Sequence, residues 1–238
     1  MKDNERKFDL PLLETPRTVR IRFRKVGNLQ YISHLDLQRT FARVLARAGL
    51  PLWYTQGFNP HIKMVFALPL SLGCESECEL LDVRLEREMT EREIMERLND
   101  ELTEELAVTA VYPAERKFTD IAFARYEYTL TLPDPETSAE RARAVLTDEE
   151  LTLMKRSKSG DKEIKLRDYM RSIAVEPREG GVCMTAMLAA GEGKVLTPEA
   201  LIGALREKTG LLTGDPRTEN YRILRRAFYL ADGVTEFA

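Results

Sequence analysis

The sequence has few of the residues on which disulfide and metal sites depend. Its 238 residues include three cysteines, two histidines and one tryptophan. Three cysteines are too few, and odd in number, for a disulfide framework, which agrees with a reducing compartment. A zinc site with four thiolate ligands cannot be built from them either. We therefore predict no metal site and no bound cofactor.

Long apolar runs are also missing. The N-terminal stretch MKDNERKFDLPLLETP has no continuous apolar core of the kind that a signal peptide needs, and nowhere do about 18 apolar residues follow one another. We therefore expect a cytoplasmic protein with no membrane partner. The formal net charge is −3, so the total charge does not indicate nucleic acid. The distribution of charge along the chain is more informative.

The chain is long enough for two domains. With 43% hydrophobic residues it can form one large core or two small ones, and two domains of roughly 100–120 residues agree with the usual size of domains. We predict an N-terminal extension over 1–16, a first domain over 17–113 and a second domain over 122–238.

The first two elements of the first domain both present arginine. TVRIRFRKV (18–26) alternates between apolar residues and arginines, which is the period of a half-buried strand. A helix over 33–51 opens with Ser33 three residues before Asp36, a start that resembles a capping box, and it closes with the stop signal GLP. Away from its apolar stripe, arginine recurs every fourth residue, at Arg39, Arg43 and Arg47.

The remaining elements complete a recognisable order. The chain continues with extended segments at 50–54, 63–73 and 78–86, a capped helix over 90–102 and a strand over 106–113. Strand, helix, strand, strand, helix, strand is the order of ferredoxin-like domains. A similar order begins again at residue 126, with a basic hairpin over 151–166. The sequence therefore predicts an α+β fold of two tandem ferredoxin-like (βαββαβ) domains.

Charge is segregated within the first domain. Residues 17–63 contain nine lysines and arginines against the single acid Asp36, whereas 75–105 contain thirteen acids against four arginines. A basic stretch with aromatic neighbours is expected of a surface that binds a phosphate backbone and stacks bases on rings. The alternative is that the arginines are solvated or pair with the acidic segment.

The first interpretation assigns RNA or phosphate binding to arginines of the strand and helix and to residues of the GFNPH turn, namely Arg20, Arg22, Arg24, Arg39, Arg43, Arg47, Tyr54, Phe58, His61 and Lys63. Because the strand and the helix are consecutive and both expose arginine, we expect four of these residues to lie on one basic surface: Arg22, Arg24, Arg39 and Arg43.

Both histidines of the chain, His34 and His61, lie in this basic stretch. Histidine titrates near neutral pH, so the two imidazoles, with Tyr31 nearby, are candidates for an acid and a base that act on RNA. The alternative is structural, with His34 in the first helical turn and His61 bracing its own turn. We expect the turn to bring the imidazoles into a shared cleft with Tyr31, Tyr54 and Lys63 at its rim.

Residues 31–85 resemble the signature block of the radical-SAM-linked family, a bacterial family of unknown function. The matching pieces are SHLDL, the spaced arginines, RAGLP, GFNPH, FALPL and the acidic segment that begins GCES. In that family the module is encoded beside, or fused behind, a cobalamin-binding radical-SAM protein, so the resemblance implies such a partner. It implies no established activity and no site residues, and it covers the first domain more strongly than the second.

These observations favour an RNA-binding accessory protein that presents its substrate to a separate radical-SAM enzyme and has no catalysis of its own. Two alternatives stay open. One is a metal-independent endoribonuclease that uses His34 and His61. The other is a protein–protein adaptor whose acidic and basic segments dock the partner.

Overall fold

Helices and strands are interspersed along the whole chain, so the predicted α+β class is confirmed. The computed structural model describes residues 12–155, 160–191, 193–215 and 217–238. Within these ranges no helix is both long and apolar enough to cross a membrane. The chain divides into two compact parts, named unit one and unit two, which are Met1–Lys117 and Phe118–Ala238.

Unit one has the order strand, helix, strand, strand, helix, strand. Its described strands are β1 (Leu12–Lys25), β2 (Met64–Phe66), β3 (Cys74–Arg87) and β4 (Val108–Pro113), and its α-helices are α1 (His34–Arg47) and α2 (Glu91–Asn99). Strand β1 pairs with both β3 and β4, and β2 pairs with β3, each time antiparallel. The sheet order within this unit is therefore β2-β3-β1-β4.

The alternation in β1 decides which face the helices cover. Val19, Ile21 and Phe23 are fully buried, and the Phe23 ring centroid lies 4.6 Å from that of Phe41 in α1. Successive side chains of a strand point to opposite faces, so the arginines between these residues point away from the helices. One face of the sheet therefore forms the core of unit one with α1 and α2.

Both predicted helix starts are capped as expected. The Ser33 hydroxyl accepts a hydrogen bond from the Asp36 backbone N–H at 3.1 Å, and the Thr90 hydroxyl accepts one from the Glu93 N–H at 3.2 Å. Each side chain satisfies one of the backbone donors that a helix start leaves unpaired. Helix α1 ends at Arg47, before the predicted limit, because the chain turns at Gly49, where φ is +64°.

Several predicted strand limits in unit one are wrong. The segment 50–54 forms only isolated bridges among the described residues, β2 is three residues long, and β3 begins at Cys74 rather than at residue 78. In β2 the prediction ran on through Pro69, which has no N–H to donate to a ladder. Strand β1 begins at Leu12, inside the predicted N-terminal extension, whose residues 1–11 lie outside the described part of the chain.

Unit two has more strands than predicted. Its described strands are β5 (Phe123–Thr131), β6 (Thr152–Lys155), β7 (Lys162–Lys165), β8 (Met170–Arg178), β9 (Gly181–Gly191), β10 (Lys194–Val195) and β11 (Tyr221–Tyr229), and its α-helices are α3 (Pro135–Leu146) and α4 (Glu199–Thr209). Strand β9 pairs with β8, β5 and β10, and β5 pairs with β11, all antiparallel. The sheet of this unit therefore runs β8-β9-β5-β11, with β10 added at the end of β9.

The predicted basic hairpin is confirmed as the pair β6 and β7, which forms a small sheet of its own. The turn was predicted at Ser159-Gly160-Asp161, and residues 156–159 lie outside the described part of the chain. Strand β8 was not predicted, because in MRSIAVEPR only Val175 is buried and Pro177 argues against a strand. The strand is formed through its pairing with β9, a long-range contact that local sequence does not reveal.

Candidate nucleic-acid interface

Arg20 is a buried structural residue rather than part of a binding surface. Its guanidinium is fully buried and makes two hydrogen bonds to the Asp82 carboxylate, at 2.8 and 2.9 Å, across the β1–β3 pair. It also donates to the backbone carbonyl of Arg116 at 2.6 Å. A buried guanidinium that is held in this way is not available to a phosphate. The assignment of Arg20 to RNA binding is therefore corrected.

The acidic segment neutralises part of the basic stretch, as the alternative interpretation proposed. Arg17 pairs with Glu88 and Glu91, and Arg47 pairs with Glu101 at 2.5 Å. Arg24 donates to the backbone carbonyl of Glu104, also at 2.5 Å. The ion pairs of Arg17 and Arg47 add little stability, but they reduce the positive charge that is open to a ligand, whereas the carbonyl hydrogen bond leaves the charge of Arg24 in place.

The expected single basic surface is split between two sides of unit one. Arg22 follows Ile21 in β1, is partly buried and points to the sheet face opposite the helices. Arg39 and Arg43 are exposed on α1, which covers the other face. The error arose because consecutive elements were assumed to share a face, whereas a helix packed on a sheet exposes the side remote from that sheet.

Helix α1 presents a surface that contains both arginine and apolar side chains, here named the α1 surface: Tyr31, Leu35, Arg39 and Arg43. Tyr31 is 69% exposed and Leu35 is 52% exposed. Arg39 makes a 3.4 Å ion pair with Asp36 in the same helix, and Arg43 makes no hydrogen bond or ion pair with any described residue. The spacing of four residues places Leu35, Arg39 and Arg43 on one side of the helix, and Tyr31 precedes the helix, at the end of the 3-10 turn Gly27–Tyr31.

The GFNPH turn is a protruding loop, here named the 54–62 loop. A bridge between Tyr54 and Ile62 closes it, and the Thr55 N–H donates to the His61 carbonyl at 3.0 Å. Phe58 lies at its tip with a fully exposed ring, and Lys63 follows as an exposed cation without an ion pair among the described residues. An exposed phenylalanine at a loop tip is available to a binding partner.

The two histidines have different neighbours, as the structural alternative proposed. His34 Nε2 lies 3.0 Å from the Gln38 side chain, and its ring meets the Phe66 ring edge-on at 5.2 Å between centroids. His61 Nδ1 lies 3.0 Å from the Thr55 hydroxyl and 3.1 Å from the Asn59 carbonyl, inside its own loop. These contacts do not place the imidazoles in the shared cleft that was expected. A general acid and base must both reach one substrate, so this geometry gives the catalytic candidates His34, His61 and Tyr31 no support.

The cysteines do not form a reactive group. Cys74 and Cys78 are buried, and burial is the main cause that raises the pKa of the half-buried Cys183 thiol. A raised pKa disfavours the thiolate, which is the form that attacks substrates and binds metals. Over the described ranges no group of three or more histidine, cysteine or acidic side chains is placed to hold a metal ion.

Sequence reasoning missed a cavity in unit two. It has a volume of about 350 Å³, and the charged side chains that line it are Arg167, Asp168, Arg171 and Lys194. Two of its aromatic rings, Phe123 and Tyr169, each lie under a cation. These residues come from three separate segments of the chain, so no local pattern in the sequence brings them together.

The fold is that of an α+β protein, and its surface exposes aromatic and cationic side chains. The chain belongs to a bacterial family of uncharacterised proteins, DUF2344, whose profile matches residues 18–198. The description of that family names neither an activity nor a partner. No curated protein matches the chain.

Among solved structures, the chain is similar to the crystal structure of an unknown protein from Galdieria sulphuraria. The two share 9% sequence identity over 89% of this chain and 99% of the other, with a TM-score of 0.27. A similarity at that level carries no argument about fold or function.

Proposed function

We propose that the protein is an RNA-binding accessory module that presents RNA to a separate enzyme and has no catalysis of its own. One observation carries this proposal. In residues 31–63, three aromatic rings and four cations are exposed, and two of these cations, Arg43 and Lys63, make no ion pair with a described residue. The rings are Tyr31, Tyr54 and Phe58, and the cations are Arg39, Arg43, Arg47 and Lys63.

The chemistry of single-stranded RNA suits this combination. Unstacked bases stack on aromatic side chains, and each stacked base contributes about 1–3 kcal/mol. Cations without acidic partners bind the phosphates between those bases. Within unit one, Arg43 and Lys63 supply such cations, and Tyr31 and Phe58 supply the rings.

The endoribonuclease alternative gains no support from the contacts of His34 and His61, which bond to different residues. The adaptor alternative is favoured by one further observation. Leu35 and Leu72 are exposed aliphatic residues, and the Gly73 N–H donates to the Gln30 carbonyl at 3.0 Å, which brings the backbone next to Leu72 close to the backbone next to Tyr31. Aliphatic side chains do not stack with bases, so they fit a protein partner better.

We retain two finer expectations as parts of the proposal. The partner enzyme would be a cobalamin-binding radical-SAM protein, an expectation that rests on the resemblance of residues 31–85 alone. Both units would be ferredoxin-like domains, because the sheet orders β2-β3-β1-β4 and β8-β9-β5-β11 correspond position by position. In this correspondence the β6–β7 hairpin and β10 are additions to unit two.

The test is a salt titration of RNA affinity. Fluorescence anisotropy with a single-stranded RNA of about 16 nucleotides should give an affinity that falls log-linearly with salt, by about 0.7 in slope for each phosphate contact. The double variant Arg43→Gln, Lys63→Gln should lower that slope by about 1.4. Phe58→Ala should weaken binding roughly fivefold or more without changing the slope, because stacking releases no counterions.

Arg92→Gln is the matched control, since Arg92 is exposed on α2 and paired with Glu96 at 2.8 Å. It should bind RNA as the wild type does. Binding that is insensitive to salt, or a double variant that behaves like Arg92→Gln, would refute the proposal. If the chain does not bind RNA but binds a partner protein with an affinity that does not depend on salt, the result would favour the adaptor instead.

A further inference from the structure

The cavity of unit two lies where β5 and β8 begin and β9 ends. Its volume of about 350 Å³ is within the usual range for small-molecule sites. Apart from its charged and aromatic residues, the lining is apolar or small: Ala122, Met170, Ala189 and Gly191. An apolar floor with a few charged groups is the usual composition of a ligand site.

Two cations at this cavity are positioned by aromatic rings. The Arg171 guanidinium carbon lies 5.4 Å from the Phe123 ring centroid, and Lys194 Nζ lies 5.3 Å from the Tyr169 ring centroid. A ring face attracts a cation and holds it in place, but it does not cancel the charge as a carboxylate would. The positive charge of both side chains therefore stays available.

Neither cation has an acidic partner within ion-pair distance in the described part of unit two. By contrast, the neighbouring Arg167 pairs with Glu149 at 2.6 Å. Asp232 is within electrostatic reach of Arg171 and is ionised, because the Thr235 hydroxyl is the main cause that lowers the pKa of Asp232 to about 2, but Asp232 does not line the cavity. Asp168 also lines the cavity and makes no ion pair with a described residue. Among the lining side chains, three cations stand against one acid, so the lining itself has an excess of positive charge.

We infer that this cavity binds a phosphate monoester of about mononucleotide size. A phosphate monoester carries a charge of about −1.5 to −2 at neutral pH, which matches two unpaired cations better than a carboxylate does. The planar guanidinium of Arg171 suits phosphate oxygens geometrically, and Lys194 adds a point charge. The apolar floor would contact the organic part of the ligand. This inference does not depend on RNA binding by unit one.

The test is isothermal titration of the full chain with AMP as the probe. We expect one molecule of AMP to bind for each chain, with a Kd below the millimolar range. Adenosine and inorganic phosphate each make only part of the contacts that AMP makes, so each should bind at least about tenfold more weakly than AMP. Adenosine that binds as tightly as AMP would overturn the inference, because phosphate would then not be recognised.

Variants connect the binding to the two cations. Arg171→Gln and Lys194→Gln should each weaken AMP binding about tenfold, the usual loss for one hydrogen bond to a charged group. The controls are Arg217→Gln and Lys208→Gln, because both residues are exposed in unit two and do not line the cavity. These controls should bind AMP as the wild type does.

A second measurement covers the case in which Arg171→Gln fails to fold. In the wild-type protein, AMP should shift the NMR signals of Phe123 and Tyr169. It should leave the signals of the two control residues, Arg217 and Lys208, unchanged. AMP binding that survives Lys194→Gln undiminished, or chemical shifts that map away from these rings, would refute the site. No binding of AMP at millimolar concentration would refute it as well.

Discussion

Arg20 and Arg43 look alike in the sequence, since each is an arginine on the polar side of its element. In the structure Arg20 is buried against Asp82, whereas Arg43 is exposed without an ion pair among the described residues. The difference depends on the residue that lies opposite across the β1–β3 pair. Strand register is a long-range property, so the sequence indicates that an arginine is present but not which role it has.

The first prediction concerns this buried pair. Asp82→Ala leaves the Arg20 guanidinium buried without its bidentate partner, and breaking a buried pair in this way costs about 3–5 kcal/mol of unfolding free energy. Urea denaturation followed by circular dichroism measures the change. Glu96→Ala is the matched control, because it removes the carboxylate from the exposed Arg92 pair and should hardly alter the midpoint. An Asp82→Ala variant as stable as Glu96→Ala would contradict the structural role of Arg20.

At the scale of the element, the parts that local sequence determines were predicted and the parts that pairing determines were not. Helices α1 and α2 were located from their caps and apolar stripes, which depend on residues three and four apart. Strand β8 was missed, because its one buried side chain, Val175, gives no alternating pattern. In the candidate site, exposure of Tyr54, Phe58 and Lys63 agrees with the sequence prediction, whereas the shared cleft required a distance that no local pattern encodes.

The second prediction concerns the two caps. Ser33→Ala and Thr90→Ala should each lower the free energy of unfolding by about 1 kcal/mol, since each leaves a helix-start N–H without its acceptor. Urea denaturation at pH 7 measures both, with Ser71→Ala as a serine control outside any helix. Equal stability of Ser33→Ala and Ser71→Ala would contradict the cap.

The Ser33 cap also has a pH signature. The hydrogen bond from Ser33 is the main cause that lowers the pKa of Asp36 from its ordinary value of 3.8. A lowered pKa in the folded state stabilises the protein above the ordinary pKa, and this contribution is lost as the pH falls through the folded value. The difference in stability between wild type and Ser33→Ala should therefore shrink below about pH 4, whereas the part that comes from the helix N–H should persist.

For the whole molecule, net charge is a poor guide to binding. The total of −3 conceals exposed cations on α1, at Lys63 just after the 54–62 loop and at the cavity of unit two, because acids elsewhere offset them. Each unit combines such cations with aromatic rings, but in different forms. Unit one exposes its rings, as extended single strands require, whereas unit two places cations over rings at the edge of a cavity, which suits a small ligand.

The last prediction follows from this division. Arg43→Gln with Lys63→Gln should weaken RNA binding and leave AMP binding unchanged, whereas Lys194→Gln should weaken AMP binding and leave RNA binding unchanged. The triple variant should show each loss at the size measured in its parent variant, to within about 0.5 kcal/mol, because sites without shared partners act independently. Anisotropy measures RNA binding and calorimetry measures AMP binding on the same protein preparations. If Lys194→Gln weakens RNA binding as strongly as the unit-one variants do, the RNA site includes the cavity, and the two proposals describe one site.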